Sequence, residues 1–542
     1  MKKTIYFLLF CFFTAGITAQ DRDINRDINY MSSGGKLNPI QANMDIRHYT
    51  LALDVDIANQ AIAGYAVIDL ILLQPTDTIL FDLVHFLNVT KITEAKKKKT
   101  FYRDRDFIYV VDAAGFKAGR QSIKIEYNGK PPVAVKPPWE GGFSWKKDST
   151  GNPWVSINCQ LQGAKVYFPC KDHPSDEPNE GVDMFITVPR GLTVAGPGLL
   201  QSVSSKNNKK TFHWKTNYTI SNYCIVFDIG KYVIVKRTYT TIKGNKVPME
   251  LYVLEEDKSN AQKVLDLRER DSRILEKYFG EYPWVKEKIG IAEVPNSGME
   301  HQTIVTYGGK FNYKKVCTMD YSSNLFHEFT HEWFANKVTN KDWAHIWIQD
   351  GITTYAEALF CREACGERGY DSMMVKFKRS IKNKKPVVQG DEMDLKSAYY
   401  GSDVYTKGAF FMHTLRYVLG DALFFPTLKK LATDPRYTYS NLVTTDDVEH
   451  LFSNESGKDM KPLFDFYLRT TKKLEIAINQ TGYNEYAVTS TNLPMPLDID
   501  VLTDTGIQRI TLSDKDKGVK IISSFTPVVD QKGYYLKKVI SE

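Results

Sequence analysis

The sequence predicts a multidomain α+β chain: an N-terminal antiparallel β domain, a mainly α domain, then a small C-terminal β domain. Three observations predict it. A chain of 542 residues exceeds what a single hydrophobic core organises. Apolar residues alternate with polar ones, strand fashion, from Ile46 to about residue 240 and again beyond about residue 481. Between those stretches the apolar spacing lengthens to the helical period.

Taken in order, Lys2 and Lys3 precede an apolar run from Ile5 to Phe13 and then Thr-Ala-Gly-Ile-Thr-Ala. This is the layout of a secretory signal at 1–19, cut after Ala19, so an exported protein is expected, periplasmic or secreted. Phe10 before Cys11 argues against a lipoprotein cleavage site. The run is short for a bilayer, and nothing later approaches about eighteen apolar residues, so no stable membrane span is expected. Residues 20–38, with their Asp, Asn, Ser and Gly, read as a flexible lead.

The first β domain is expected over 39–240. Tyr49-Thr-Leu-Ala-Leu-Asp-Val-Asp-Ile and Gly64-Tyr-Ala-Val-Ile-Asp-Leu-Ile-Leu open it, and further strands are predicted near 107–111, 122–127, 182–188 and 222–234. At about Ser259 the period changes. Ala261, Val264, Leu265, Leu267, Ile274, Leu275 and Phe279 then fall on one helical face, and helical spacing dominates a second domain over 241–480. The last domain, 481–542, returns to strands in Leu497-Asp-Ile-Asp-Val-Leu and Gln508-Arg-Ile-Thr-Leu.

Composition excludes more than it identifies. The formal net charge of +7 is mild and dispersed; its densest run, Lys96 to Lys99, reads as a solvated hairpin tip. No basic stripe with interleaved aromatics accompanies it, so nucleic acid is not an expected partner. The sequence sets no oligomeric state. Beyond the signal the cysteines are Cys159, Cys170, Cys224, Cys317, Cys361 and Cys365, too few for a disulfide scaffold and without a CxxC metal pattern. A Cys159–Cys170 bridge is possible. One between Cys361 and Cys365, a single helical turn apart, would be strained and restrain little.

The chemistry concentrates at His327-Glu-Phe-Thr-His331. On a helix, residues four apart leave the same face, so His327 and His331 can share one zinc ion through neutral ring nitrogens. Glu328 is placed to act as general base on a water that the metal activates. A helix with two surface histidines would carry the same letters, so context decides. A catalytic zinc also needs a third protein ligand. Asp350 begins the next helical pattern nineteen residues after His331, and His345 is its nearest rival in sequence.

The context resembles the aminopeptidase N family of zinc metallopeptidases, which includes leukotriene-A hydrolase. The matching residues are His-Glu-x-x-His-x-Trp-Phe-x-Asn at 327–336, Val338-Thr339 and the Trp343-x-x-x-Trp347 approach to Asp350. The resemblance covers roughly residues 40 to 475 and implies a thermolysin-like fold for the middle domain. It also implies one Zn2+ per chain on His327, His331 and Asp350. Glu357, seven residues after Asp350 on the same helical face, is either a support behind a ligand or a solvated helix acid. Pro295-Asn-Ser-Gly-Met-Glu-His resembles the family's exopeptidase motif, which makes Glu300 the acid that binds the substrate's α-amino group, with Gly298 and Met299 beside it. Gln160, with Gln162 in close competition, matches a second amine-binding position. Tyr405, in Tyr-Thr-Lys-Gly, matches the phenol that stabilises the oxyanion.

The function implied is removal of N-terminal residues from peptides with a free N-terminus. The chain departs from the family at Ser297 and His301, where Gly and Asn are usual, and above all at Asp350, where the family has Glu. One methylene fewer leaves that carboxylate roughly 1.5 Å short unless its helix shifts. That departure motivates two alternatives: a non-catalytic peptide-binding homologue, and an endopeptidase or epoxide hydrolase on the same scaffold.

Overall fold

A computed structural model describes residues 30–513 and 518–541. The expected signal segment and residues 20–29 lie outside the described residues. From Tyr30 on, the lead is anchored: Met31 and Ser33 are buried, Ser33 N donates to Leu161 O at 2.8 Å, and Leu395 N donates to Ser33 O at 3.0 Å. Residues near 33 therefore tie the β domain to the helical one.

The N-terminal region is built around an eight-stranded sheet, with a four-stranded and a three-stranded sheet beside it. The long hairpin Met44–Asp56 and Ala61–Leu72 pairs antiparallel, and its inward residues Tyr49, Leu51, Leu53, Ile68 and Leu70 are buried. One pairing departs from the expected antiparallel pattern: Met44–Asp56 runs parallel to Val182–Pro189, with Tyr49 opposite Val182. The intervening chain, which forms other strands, is long enough for such a crossover. The lysine run turns a hairpin between Leu87–Glu94 and Lys97–Lys98, with Ala95 and Lys96 at positive φ, but Lys99 is drawn inward to Glu94 and Asp112.

The strand expected over 222–234 is broken. Asn222–Cys224 is a buried 3-10 turn, followed by the short strand Asp228–Gly230 and then Tyr232–Thr240. A continuous apolar run such as Ile225-Val-Phe fits buried coil as well as strand, so periodicity could not separate them. The turn has a use, because it brings the Tyr223 hydroxyl to Glu300 Oε1.

A mixed five-stranded sheet follows, in the order Tyr232–Thr240, Lys246–Leu254, Ile289–Glu293, Val305–Tyr307, Gly298–Met299. It spans the boundary expected near residue 240. The predicted helix is Ala261–Phe279, and its face of Val264, Leu265, Leu275 and Phe279 is buried; each such side chain contributes about 1.5–3 kcal/mol. Behind it lie Ser323–Thr330, Trp347–Ser380 and Thr406–Leu419. Gly366, at φ +66, kinks the long Trp347–Ser380 helix. The C-terminal strands begin at Leu474 and form a four-stranded and a three-stranded sheet. Among the described residues no helix is long and apolar enough to cross a membrane.

Neither cysteine pairing considered from the sequence forms. Cys159, Cys170 and Cys361 are free and buried, and Cys365 is bridged to Cys317, 48 residues away. The bridge ties the Lys314–Val316/Met319–Tyr321 hairpin to the long helix and so encloses the Ser323–Thr330 helix in its loop. Replacing both cysteines with Ser is expected to destabilise this region by about 2–4 kcal/mol, through loss of loop closure in the unfolded chain. The shift in urea midpoint measures it.

Candidate metal centre and substrate cleft

Ser322 caps the Ser323–Thr330 helix, its side chain accepting from Leu325 N, and the last turn carries His327 to His331 at the helix end. The two rings stand 4.9 Å apart. Each has its Nδ1 engaged from behind. His327 Nδ1 lies 2.9 Å from Glu357 Oε1, and His331 Nδ1 lies 2.8 Å from Phe334 O. Donation through Nδ1 leaves both Nε2 lone pairs for a metal. Glu357, the support behind His327, is itself fixed by Tyr321 at 2.9 Å and Ser323 at 3.2 Å.

Asp350 sits in the first turn of Trp347–Ser380. Its Oδ1 is 3.7 Å from His331 Nε2, and ligand atoms of His327, His331 and Asp350 all lie within 4.8 Å of one another. Tetrahedral zinc with N and O ligands near 2.1 Å requires donor separations of about 3.4 Å. Asp350 Oδ1 stands slightly beyond that separation from His331 Nε2, and the packing of its helix helps set that position. Gly351 lies against Gly408 so closely that a Cβ on Gly351 would meet Gly408 Cα at 2.9 Å. That approach brings the Asp350 helix against the Thr406–Leu419 helix, which Tyr405 precedes. His345, the rival ligand, points elsewhere, with Nδ1 2.9 Å from Thr445 Oγ1.

The same cavity, about 960 Å³, is lined by Gln160, Gly298, Met299, Glu300, Glu328, Glu357, Tyr399 and Tyr405 with the three candidate ligands. Gln160 Nε2 donates to Glu300 Oε1 at 2.7 Å, across two domains. Gln162 is turned away, its Oε1 accepting from Gly141 N at 2.7 Å. Gly298, at φ +94, is required: a Cβ would stand 2.3 Å from Thr306 O. Glu328 Oε1 accepts from Asn324 Nδ2 at 3.0 Å, leaving the other oxygen for the cavity. Glu300, Glu328 and His331 form a second close group.

The electrostatics fit a dication. Burial pushes Asp350 up to about 7, against the Tyr399 hydrogen bond and the His327 charge. Burial likewise lifts Glu328 to about 8, with the Glu300 and Asp350 charges adding to it. Burial also holds His331 down to about 4, in its neutral ligating form. For His327 burial acts downward, but the bond to Glu357 and its charge prevail and raise it to about 9. A divalent cation among these groups favours the ionised acids and competes with the proton for Nε2 of His327. Two imidazoles and one carboxylate are a catalytic zinc donor set.

Several supporting groups escaped the sequence reading. Tyr223 donates to Glu300 Oε1 at 2.9 Å, and Tyr399 donates to Asp350 Oδ2 at 2.7 Å. Asn336 bonds both Glu300 O, at 2.8 Å, and Glu332 Oε2, at 3.1 Å. Glu332 also accepts from Trp284 and from Thr303 N. Asn336 was visible in the 327–336 motif without its purpose, which is to lock the metal helix to the Glu300 loop.

The chain matches the Peptidase family M1 domain over residues 265–467 and the Peptidase M1 N-terminal domain over 46–224. It belongs to the M1 peptidase family. Its relatives include aminopeptidase 2, mitochondrial, of Saccharomyces cerevisiae, 23% identical over 72% of this chain and 44% of that protein. Leukotriene A-4 hydrolase of Xenopus laevis is 24% identical over 60% of this chain and 52% of that protein. This M1 chain spans about half the length of the curated relatives it matches. Among solved structures, the M1 zinc metallopeptidase of Deinococcus radiodurans is similar at a TM-score of 0.65 and 21% identity, covering 81% of this chain and 96% of that one. That likeness establishes the fold. Zinc belongs to the description of that solved structure, and His327, His331 and Asp350 are the residues here whose ligand atoms stand close enough together to hold such an ion.

Proposed function

We propose that this M1 chain is a zinc-dependent aminopeptidase that hydrolyses the first peptide bond of peptides with a free N-terminus. One observation carries the reading: Glu300, with Gln160 hydrogen-bonded to it, faces the same cavity as the metal triad, and its carboxylate belongs to a close group with Glu328 and His331. A carboxylate fixed at that distance pairs with an ammonium, so the peptide enters by its N-terminus and only its first bond reaches the reacting groups.

His327, His331 and Asp350 would hold zinc, which when bound supplies Lewis-acid polarisation of the carbonyl and of water. The remaining steps belong to this chain's side chains. The free Glu328 oxygen takes the proton of the attacking water and delivers it to the leaving amine. Tyr405 donates its phenolic hydrogen to the developing oxyanion. Glu300 and Gln160 hold the ammonium end, with Tyr223 fixing the Glu300 carboxylate, and Gly298 and Met299 flank the first side chain. Export is part of the proposal; the leader-like residues 1–19 and the Cys317–Cys365 bridge, which suits an oxidising compartment, support it.

The test uses paired peptides, one with a free and one with an acetylated N-terminus, beside an aminoacyl-nitroanilide. Turnover of the nitroanilide and the free peptide, with loss of cleavage on acetylation, is the expected result. Equal cleavage of the acetylated peptide would make the chain an endopeptidase. Peptide binding with no turnover and no zinc would make it a binding protein.

A further inference from the structure

We propose that Tyr399 is a positioning residue that makes the short Asp350 side chain a one-oxygen metal ligand and links it to Tyr405. The inference rests on the zinc-peptidase reading and concerns the one ligand at which this chain departs from its family.

A carboxylate offers two oxygens, and rotation about its last bond can present either, or both, to a metal. Here the two oxygens are separated by their partners. Oδ2 of Asp350 accepts the Tyr399 hydroxyl at 2.7 Å, while Oδ1 lies on the His331 side, 3.7 Å from Nε2. The phenol thus fixes the rotation of the carboxylate, with Oδ1 on the side of the ring nitrogens where the ion would sit.

Tyr399 is itself well held. It ends the short Leu395–Tyr399 helix, whose cap Asp394 accepts from Ser397 N and whose Leu395 is buried. Leu395 N donates to Ser33 O at 3.0 Å, which fastens this helix to the anchored lead. The Tyr399 ring lies nearly parallel to that of Tyr405, with centroids 5.8 Å apart and planes at 11°.

The hydroxyl row has one polarity. A phenol has a single hydrogen, and that of Tyr399 goes to Asp350, so its oxygen is free to accept from Tyr405, 3.5 Å away. The Tyr405 bond is long and therefore weak, so Tyr405 can exchange it for a substrate oxyanion at small cost while Tyr399 stays on Asp350. One residue thereby sets both the third ligand and the resting direction of the oxyanion donor.

The test is Tyr399→Phe, which keeps the ring and removes only the hydroxyl. Zinc affinity, measured by chelator competition on metal-stripped protein, is expected to fall 10–100-fold, with an unchanged melting temperature of the metal-free protein. In an Asp350→Ala background the same substitution is expected to change zinc affinity no further. Wild-type zinc affinity in Tyr399→Phe overturns the inference, as does an equal loss in the Asp350→Ala background. If wild type turns over peptides and holds zinc while Tyr399→Phe matches it, only the role of Tyr399 fails. If wild type binds no zinc, the aminopeptidase reading fails with it.

Discussion

Glu328→Gln is expected to lower kcat by roughly 10²–10⁴-fold, the range that a positioned general base contributes, while zinc content stays at the wild-type level. The amide keeps the shape of the carboxylate, and its oxygen can still accept from Asn324 Nδ2, which now holds Glu328 Oε1 at 3.0 Å. What it loses is the capacity to take a proton. The site is built to make that capacity matter. Glu328 is one of four acids that line this cavity, with Glu300, Asp350 and Glu357. Partial burial and its acidic neighbours lift its proton affinity, and a dication beside it lowers that affinity again. Those opposing influences bring a carboxylate toward the working range of a base near neutral pH. The measurement is kcat on an aminoacyl-nitroanilide beside metal content for both proteins. A Gln variant that turns over as wild type would remove Glu328 from the chemistry. One that loses zinc would make it structural instead.

How much of this was legible in the sequence follows a physical line. Groups that act through their own local spacing could be read. The four-residue interval of His327 and His331 needs only a helix, and a helix forms there. The alternation from Met44 onward needs only a half-buried strand, and the burial follows it. The interval to Asp350 needs a turn between two helices, and the motif residues around it carried the rest. Groups that act through distant partners could not be read. Tyr223 meets Glu300 from 77 residues away, on a turn that looked like a strand. Tyr399 meets Asp350 from 49 residues away, and Cys317 meets Cys365 across 48. Gln160 and Gln162 were indistinguishable by pattern, because which one faces Glu300 depends on how two domains pack. Whether the missing methylene at Asp350 is a deficit could not be read, because the Gly351–Gly408 approach that helps position its helix is a tertiary fact.

That approach shapes the second large effect. Asp350→Ala removes one of three protein ligands and is expected to cost more zinc affinity than the 10–100-fold typical of losing an outer partner, with peptidase activity falling to background. The informative companion is Asp350→Glu, which restores the residue usual in the family. If Asp350 were a defect, the longer side chain would improve the site. The geometry argues the reverse. Oδ1 already lies 3.7 Å from His331 Nε2, near the spacing that tetrahedral zinc requires, and Oδ2 is already bonded to Tyr399. The helix cannot retreat to make room for an extra methylene without opening the Gly351–Gly408 contact, so added length must displace the Tyr399 hydroxyl or crowd the metal position. Asp350→Glu is therefore expected to bind zinc no better than wild type and to turn over more slowly. Zinc titration and kcat for wild type, Asp350→Ala and Asp350→Glu decide it. If wild type holds no zinc and is inert while the Glu variant gains both, the enzyme assignment fails, and the chain is a peptide-binding homologue that lost its metal by one methylene.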